Sequence, residues 1–472
     1  MQMMTKENVM KKTKITALIL MLVTMLAESF GVCASAATED PDDHTGMTRN
    51  EIREYVRSFR DETKCDAVSV AVVTRDEVIF YGDEEGLYQI GSMTKAFTGL
   101  AALKLINEGR ISLDDNISDL LPGFEAYYDN APVQITVGHL LSQTSGYYNA
   151  ERRFPSAGKD MTLGDWVMSI SGLELASKPG ERYAYSNVNY DLLGAIIEGV
   201  TGETFADYMY DEILHPLGLQ DTYVGTPPAE ERIVPGSRPG YRHAFEYEIP
   251  VYEGRIPAGY FYSNVRDMAR WLQIWMGTAD VPDEYRELIT LTKNALNEEG
   301  DYFSGWELFP DEVYGHSGGT PNYSSRIVFS EKEMTGVCVL TDMNVAASTD
   351  SLCGSVYALV TGGVSGKIAA DVWTVFDMVF TALSVFGILM LSVIIFVKRK
   401  GIVITTGTVS LVLLLSVCIT MPLIFGAGLR EIAFTWAPLS FSGGLIILAV
   451  NIPLSIFRSV RLIKNENRKK AG

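Results

Sequence analysis

The segment IGSMTKAFTGLAALKLINEG, residues 90–109, carries chemistry at the head of a helical pattern. Apolar residues recur at helical spacing as far as Glu108 and Gly109 supplies a stop signal, so an amphipathic helix is predicted from about Ser92 to Glu108. Ser92 and Lys95 stand three apart in its first turn, which puts both side chains on one face and within reach of each other. A helix N-terminus favours negative charge, and with it an oxyanion developing near Ser92. A lysine enclosed in a dry pocket can lose its proton at neutral pH and act as a base. The same residues also fit a capping serine followed by a solvated lysine. Ser-x-x-Lys arises by chance about once in a chain this long, so the motif needs partners.

Working outward, Ala67–Val73 and Glu77–Tyr81 are β-branched runs joined across Thr74-Arg75-Asp76, and they predict a hairpin just before the helix. Thr48–Lys64 has helix character, with Thr48 or Asn50 available as cap. Near the far end, Ser324–Phe329 and Thr335–Thr341 are strand-like and Asp350–Thr361 predicts a closing helix. Strands at both ends with helices between them predict an α/β (α+β) fold: one antiparallel sheet built jointly by the two ends, flanked by helices, with a helical domain inserted.

The charge is unevenly spread. Over 472 residues the chain is 47% hydrophobic, which excludes a disordered protein, and its net charge of -19 argues against nucleic-acid binding. Residues 37–370 hold 25 positive and 52 negative side chains, while both ends are apolar and mildly basic. Lys6, Lys11, Lys12 and Lys14 precede an apolar run, Ile15–Ala27, too short to span a bilayer, and Ala34-Ser35-Ala36 follows. That is the layout of a signal peptide, 1–36, cleaved before Ala37; an uncleaved anchor is the alternative. Residues 371–472 contain three apolar runs, Trp373–Val397, Ile402–Leu429 and Ile432–Phe457, each long enough for a spanning helix. Lys398-Arg399-Lys400 and the tail from Arg458 to Lys470 place the first connection and the basic tail in the cytoplasm by the positive-inside rule. Residues 37–370 are then expected outside, as an exported N-terminus also requires. No ionisable residue lies inside the spans beyond Asp377, so transport has no support and an anchor in the lipid bilayer is expected.

Two further stretches carry chemistry. Tyr185-Ser186-Asn187 lies within Pro179-Gly180-Glu181-Arg182-Tyr183-Ala184-Tyr185-Ser186-Asn187-Val188-Asn189-Tyr190. A tyrosine beside a lysine ammonium has its pKa lowered and can serve as a general base, and Asn187 is placed to orient the lysine or a substrate carbonyl; packing is the alternative for so many tyrosines. His316-Ser317-Gly318-Gly319-Thr320-Pro321 leads into the late strands, where glycines let backbone N–H groups approach a bound carbonyl. A Gly-rich turn is the plainer account. His44, His139, His215 and His243 lack metal-ligand spacing, and neither metal nor cofactor is expected. Cys65, Cys338 and Cys353 permit one disulfide and require none.

In this order, Ser92-x-x-Lys95, Tyr185-x-Asn187 and His316-Ser317-Gly318 resemble the serine β-lactamase-related and penicillin-binding protein superfamily, namely its class C β-lactamase and D-alanyl-D-alanine peptidase branch. The segments Ile135–Gly146, Pro179–Tyr190, His215–Leu219 and Pro257–Ser263 are similar to that family too, so the likeness runs over residues 48–362. It implies an acylated nucleophile at Ser92 with Lys95 and Tyr185 sharing its proton. It implies an oxyanion hole from the backbone N–H groups of Ser92 and Gly319, beside Gly318. It also implies that Tyr185 activates the deacylating water and that Asn187 holds Lys95 and the substrate amide. His316 departs from the lysine of class C β-lactamases and is more similar to the peptidase and esterase branches; a neutral imidazole binds a β-lactam carboxylate less strongly than an ammonium.

The three C-terminal spans make the layout resemble colibactin-maturation-type peptidases as well as anchored cell-wall hydrolases. The expected function is therefore a multi-pass serine hydrolase of the bacterial plasma membrane, with its catalytic domain extracytoplasmic and its tail cytoplasmic. It would be D-amino-acid-specific and act on a small peptide or peptidoglycan-like substrate. A β-lactamase or esterase, and a non-catalytic receptor for penicillin or cell-wall fragments, remain the alternatives.

Overall fold

The computed structural model describes residues 44–148, 154–155 and 157–471; the expected signal peptide lies outside them. The chain divides into two compact units, one of residues 48–238 and 243–371, the other containing 372–472 and the short turn 239–242.

In the first unit, helix α1 (His44–Thr63) precedes the hairpin β1 (Val68–Val73) and β2 (Val78–Tyr81). A one-turn 3₁₀ helix, Gly91–Met93, runs straight into α2 (Thr94–Asn107). The helical region that follows includes α3 (Leu163–Ser169) and α4 (Val188–Thr201), and leads through α5 (Val265–Trp275) to α6 (Asp283–Glu299). Strands β3 (Tyr302–Phe303), β4 (Trp306–Phe309), β5 (Val313–Thr320), β6 (Tyr323–Ser330) and β7 (Thr335–Thr341) then complete the sheet before α7 (Ala346–Val360). The seven strands are ordered β3-β4-β5-β6-β7-β1-β2 and every named pairing is antiparallel. The first and last strands of the unit pair inside the sheet, Val68 opposite Thr341 and Val73 opposite Gly336, so the two ends of the unit build one sheet jointly.

Alternation along the strands explains the layers. Ala71, Val73, Ile327, Phe329, Cys338 and Leu340 join the core with α2, α4 and α5, whereas Val70, Val72, Val328, Val337 and Val339 join the one with α1 and α7. Because helices cover both faces, β1 and β7 are buried at every position and read in sequence as nearly continuous apolar runs, interrupted only by Ser69 in β1 and bounded by Thr335 and Thr341 in β7.

Three sequence expectations need correction. Helix α2 is not amphipathic: Thr94 through Leu105 are all buried, because it runs through the middle of the larger core. Thr48 and Asn50 lie inside α1 and do not cap it. The third apolar run is broken. After a short helical stretch, residues 429–436, Ala437 is extended (φ -75°, ψ 152°) and the long helix begins only at Leu439. Pro438 accounts for this, since the residue before a proline is pushed out of the helical region.

The second unit contains α8 (Val372–Phe396), α9 (Lys400–Phe425) and α10 (Leu439–Ala471). All three are long and apolar enough to cross a membrane. Trp373 stacks on Phe425 at 5.2 Å and Phe380 meets Phe441 edge-on at 4.8 Å. Asp377 is buried; it accepts hydrogen bonds from the Ser440 hydroxyl and from the backbone N–H groups of Tyr241 and Arg242, each at 2.7 Å.

Phe97 in α2 is fully buried and stacks on Trp271 at 4.1 Å. Phe97→Ala is expected to lower the unfolding free energy by about 3–5 kcal/mol, and truncation of the exposed Leu291 by under about 1 kcal/mol, in denaturant titrations of the detergent-solubilised protein.

Candidate active site

The site begins with backbone against backbone. Gly91 has φ 53°, and a Cβ there would lie 2.4 Å from the backbone N of Gly319. A Cβ on Gly318 would lie 2.1 Å from the carbonyl oxygen of Ile90. Only glycine at these two positions lets the turn bearing Ser92 press against β5. Strand β4 pairs with Val313–Gly315, and among the described residues no strand covers the outer edge of His316–Thr320. There Gly319 is exposed, with nothing within 4 Å of the side chain it lacks.

Lys95 is fully buried one turn beyond Ser92, and as the ammonium it has all three donors engaged; as the neutral amine its lone pair can instead accept from Ser92. It donates to Ser92 Oγ at 2.9 Å, to Asn187 Oδ1 at 2.8 Å and to the Ala258 carbonyl at 2.6 Å. The rings of Tyr185 and Tyr190 stand 5.1 and 5.7 Å from its nitrogen. Burial disfavours the ammonium and brings the Lys95 pKa down to about 7; the Asp191 carboxylate opposes the fall and the Arg255 guanidinium adds to it.

Asn187 occupies the N-cap position of α4 but makes no cap hydrogen bond there, because its carboxamide is spent on Lys95. The 185–189 turn is held from outside by Gln143, whose Oε1 accepts from Ser186 N at 2.9 Å and Asn189 Nδ2 at 2.5 Å. The Ser92 hydroxyl acts to lower the pKa of Tyr185, yet burial outweighs it and drives that pKa far up. The sequence argument that an ammonium would acidify this phenol therefore fails. Lys95 carries no fixed charge near neutral pH, desolvation dominates, and Tyr185 stays protonated.

His316 is buried on β5, with Nδ1 2.6 Å from the Ser317 carbonyl and Nε2 3.4 Å from the Tyr302 hydroxyl. Burial, with nearby Lys95, lowers its pKa to about 3, so the imidazole is neutral. His139 plays a local part: its Nδ1 accepts from Thr136 N at 3.1 Å and closes a capping box.

Ser92, Lys95, Tyr185, Asn187, His316, Gly318 and Gly319 thus come together from three distant parts of the sequence. The sequence reading missed the Ala258 carbonyl, Tyr190, Tyr302 and Gln143. A carbonyl leaves no side-chain signature, although the small residues of Pro257-Ala258-Gly259 hint at a close approach. A cavity of about 880 Å³ adjoins the cluster at Pro257, but its lining contains neither Ser92, Lys95 nor Tyr185.

A sequence model of the family described as Beta-lactamase matches residues 52–358. "Protein flp" of Staphylococcus aureus (strain MW2) is 35% identical over 271 residues, 54% of this chain and 53% of the relative. A "Beta-lactamase" of Escherichia coli (strain K12) is 28% identical over 251 residues, 50% of this chain and 62% of the relative. The chain thus spans little more than half the length of these curated relatives. Among solved structures, the octameric penicillin-binding protein homologue from Pyrococcus abyssi aligns with TM-score 0.59 and 24% identity over 70% of this chain and 81% of its own. A class C β-lactamase aligns with TM-score 0.57 and 16% identity over 70% of this chain and all of its own. The fold, a β-lactamase/penicillin-binding-protein-like sheet with inserted helices, matches the sequence expectation.

If the neutral amine of Lys95 takes the serine proton, a fluorophosphonate probe is expected to label Ser92 at a rate that rises with pH through a midpoint near 7. Lys95→Arg, which stays protonated, is expected to slow labelling by about 10²–10⁴-fold. A rate insensitive to pH across that midpoint contradicts the assignment.

Proposed function

Since the chain belongs to the beta-lactamase family of serine hydrolase fold, we propose that it is an extracytoplasmic, membrane-anchored peptidase that cleaves an amide beside a D-amino acid through an acyl-enzyme on Ser92. One observation carries this reading: a buried, near-neutral Lys95 amine 2.9 Å from the Ser92 hydroxyl at the head of a helix.

Ser92 Oγ attacks the substrate carbonyl while its proton passes to Lys95 Nζ, which becomes an ammonium held by Asn187 Oδ1 and the Ala258 carbonyl. The negative charge on the carbonyl oxygen is met by the backbone N–H groups of Ser92 and Gly319, at the open edge of β5 and the start of the helix. As the C–N bond breaks, the leaving amine takes a proton from the Tyr185 hydroxyl, which Lys95 replenishes. The ester at Ser92 is then attacked by water, whose proton returns along the same route, and Ser92 is released with the acid.

Three observations bear on the choice of a peptidase. The fold is shared with a penicillin-binding-protein homologue as well as with a class C β-lactamase, so it is not confined to β-lactamases. His316 is neutral where an ammonium would grip the carboxylate of a β-lactam, which weakens the β-lactamase alternative. The three apolar helices supply an anchor for a substrate met at the outer face of a bilayer.

The test is a panel of acyl-D- and acyl-L-amino-acid peptides incubated with the full chain in detergent and read by mass spectrometry. Cleavage beside D-residues only, absent in Ser92→Ala, is the expected result. Turnover of a chromogenic cephalosporin or a short-chain ester with no peptide cleaved would move the assignment to the β-lactamase or esterase alternative.

A further inference from the structure

Beneath Lys95 lies a second set of charges that the mechanism above does not use. Asp191, in the first turn of α4, is completely buried. Its Oδ2 accepts from Trp166 Nε1 at 2.8 Å and stands 3.9 Å from Arg255 Nε. The Arg255 guanidinium in turn lies 5.5 Å from the centre of the Trp166 indole. Oδ1 of Asp191 has no hydrogen-bond partner among the described residues. A carboxylate taken fully out of water against one loosely held arginine is costly unless it has a task.

Placement suggests the task. Asp191 is one helical turn beyond Asn187, and its N–H donates to the Asn187 carbonyl at 3.2 Å. Arg255 ends a 3₁₀ turn, Glu253–Arg255, that runs directly into Ile256–Gly259, whose Ala258 carbonyl takes Lys95. A Cβ on Gly254 would lie 2.6 Å from Trp166 Cβ, so this turn is pressed onto α3. Trp166, Asp191 and Arg255 therefore tie together α3, α4 and the 253–259 segment, and the last two carry the acceptors, other than Ser92, of the Lys95 amine.

We propose that the buried Asp191–Arg255 pair, fixed by Trp166, is a positioning element that holds Asn187 and Ala258 on Lys95 and sets the charge the lysine feels. Asp191 and Arg255 act on the amine with opposite signs. The other groups facing it are Ser92, Tyr185, Tyr190, Asn187 and the neutral His316; those facing Asp191 are Trp166, Arg255 and Lys95 itself. Asp191 is itself raised by burial to about 6, which leaves it anionic where Lys95 must work.

This inference rests on the Ser92–Lys95 assignment, and the test separates the two. The readout is the pH dependence of fluorophosphonate labelling of Ser92 in the full chain in detergent, with thermal unfolding run alongside. Asp191→Asn leaves Lys95 facing an unopposed Arg255, so the midpoint is expected to fall by about half a pH unit or more. Asp191→Asn combined with Arg255→Met removes both charges and is expected to bring the midpoint back toward that of the parent. Trp166→Phe keeps the ring and deletes the Asp191 hydrogen bond, and should move the midpoint the same way by less. It decides the matter if Asp191→Asn does not fold. Uniform slowing with an unmoved midpoint, or a midpoint that rises, overturns the proposal. A parent protein that is not labelled at all instead overturns the assignment of Ser92.

Discussion

The site depends on the desolvation of one amine. Lys95 would be a protonated, inert surface group in water, and what changes it is complete enclosure with three acceptors and two aromatic rings around its nitrogen. Each neighbour has a structural origin. Asn187 has surrendered its cap, Ala258 offers a carbonyl from a one-turn helix, and Ser92 leads in from a 3₁₀ turn. The chemistry follows from burial: an amine with pKa about 7 can accept the serine proton and return it.

Burial of this kind requires a rigid frame, and the sheet provides it. Helix α2 is buried through Leu105 because helices and sheet surround it, which fixes the face that Lys95 presents. Strands from both ends of the unit pair within the sheet, so β5 is held in register by β6 and, through it, by β7 and β1. Gly91 and Gly318 then remove the last side chains between the Ser92 turn and β5, and bring Gly319 to the same opening.

Much of this was legible in the sequence, for reasons that differ by residue. Four of the seven strands were legible, β1 and β7 most plainly because they are covered on both faces and contain little that is polar, whereas the short β3 and β4 and the glycine-bearing β5 were not read as strands. Ser92, Lys95, Tyr185, Asn187, His316 and the glycines were visible because three motifs, each common by itself, follow one another in the order that the resemblance requires. The state of Tyr185 was not visible: whether a phenol beside a lysine is acidified depends on whether that lysine stays charged, and burial decides this. Ala258 acts through its backbone, so no residue type betrays it. Asp191 carries no signal in the sequence, and only folding brings Trp166 and Arg255 to it. The late start of the third apolar helix hinges on Pro438, whose effect was hidden within a continuous apolar run.

The most direct test of this account is the titration of Lys95 itself, by NMR of the full chain in detergent with lysine labelled at ¹³Cε, the resonance being assigned by its loss in Lys95→Met. The account predicts a midpoint near pH 7 for that carbon, unlike the solvated lysines. Titration in the ordinary lysine range, about 10.4, would contradict it, because the amine would then be an ammonium at neutral pH and unable to receive the proton of Ser92.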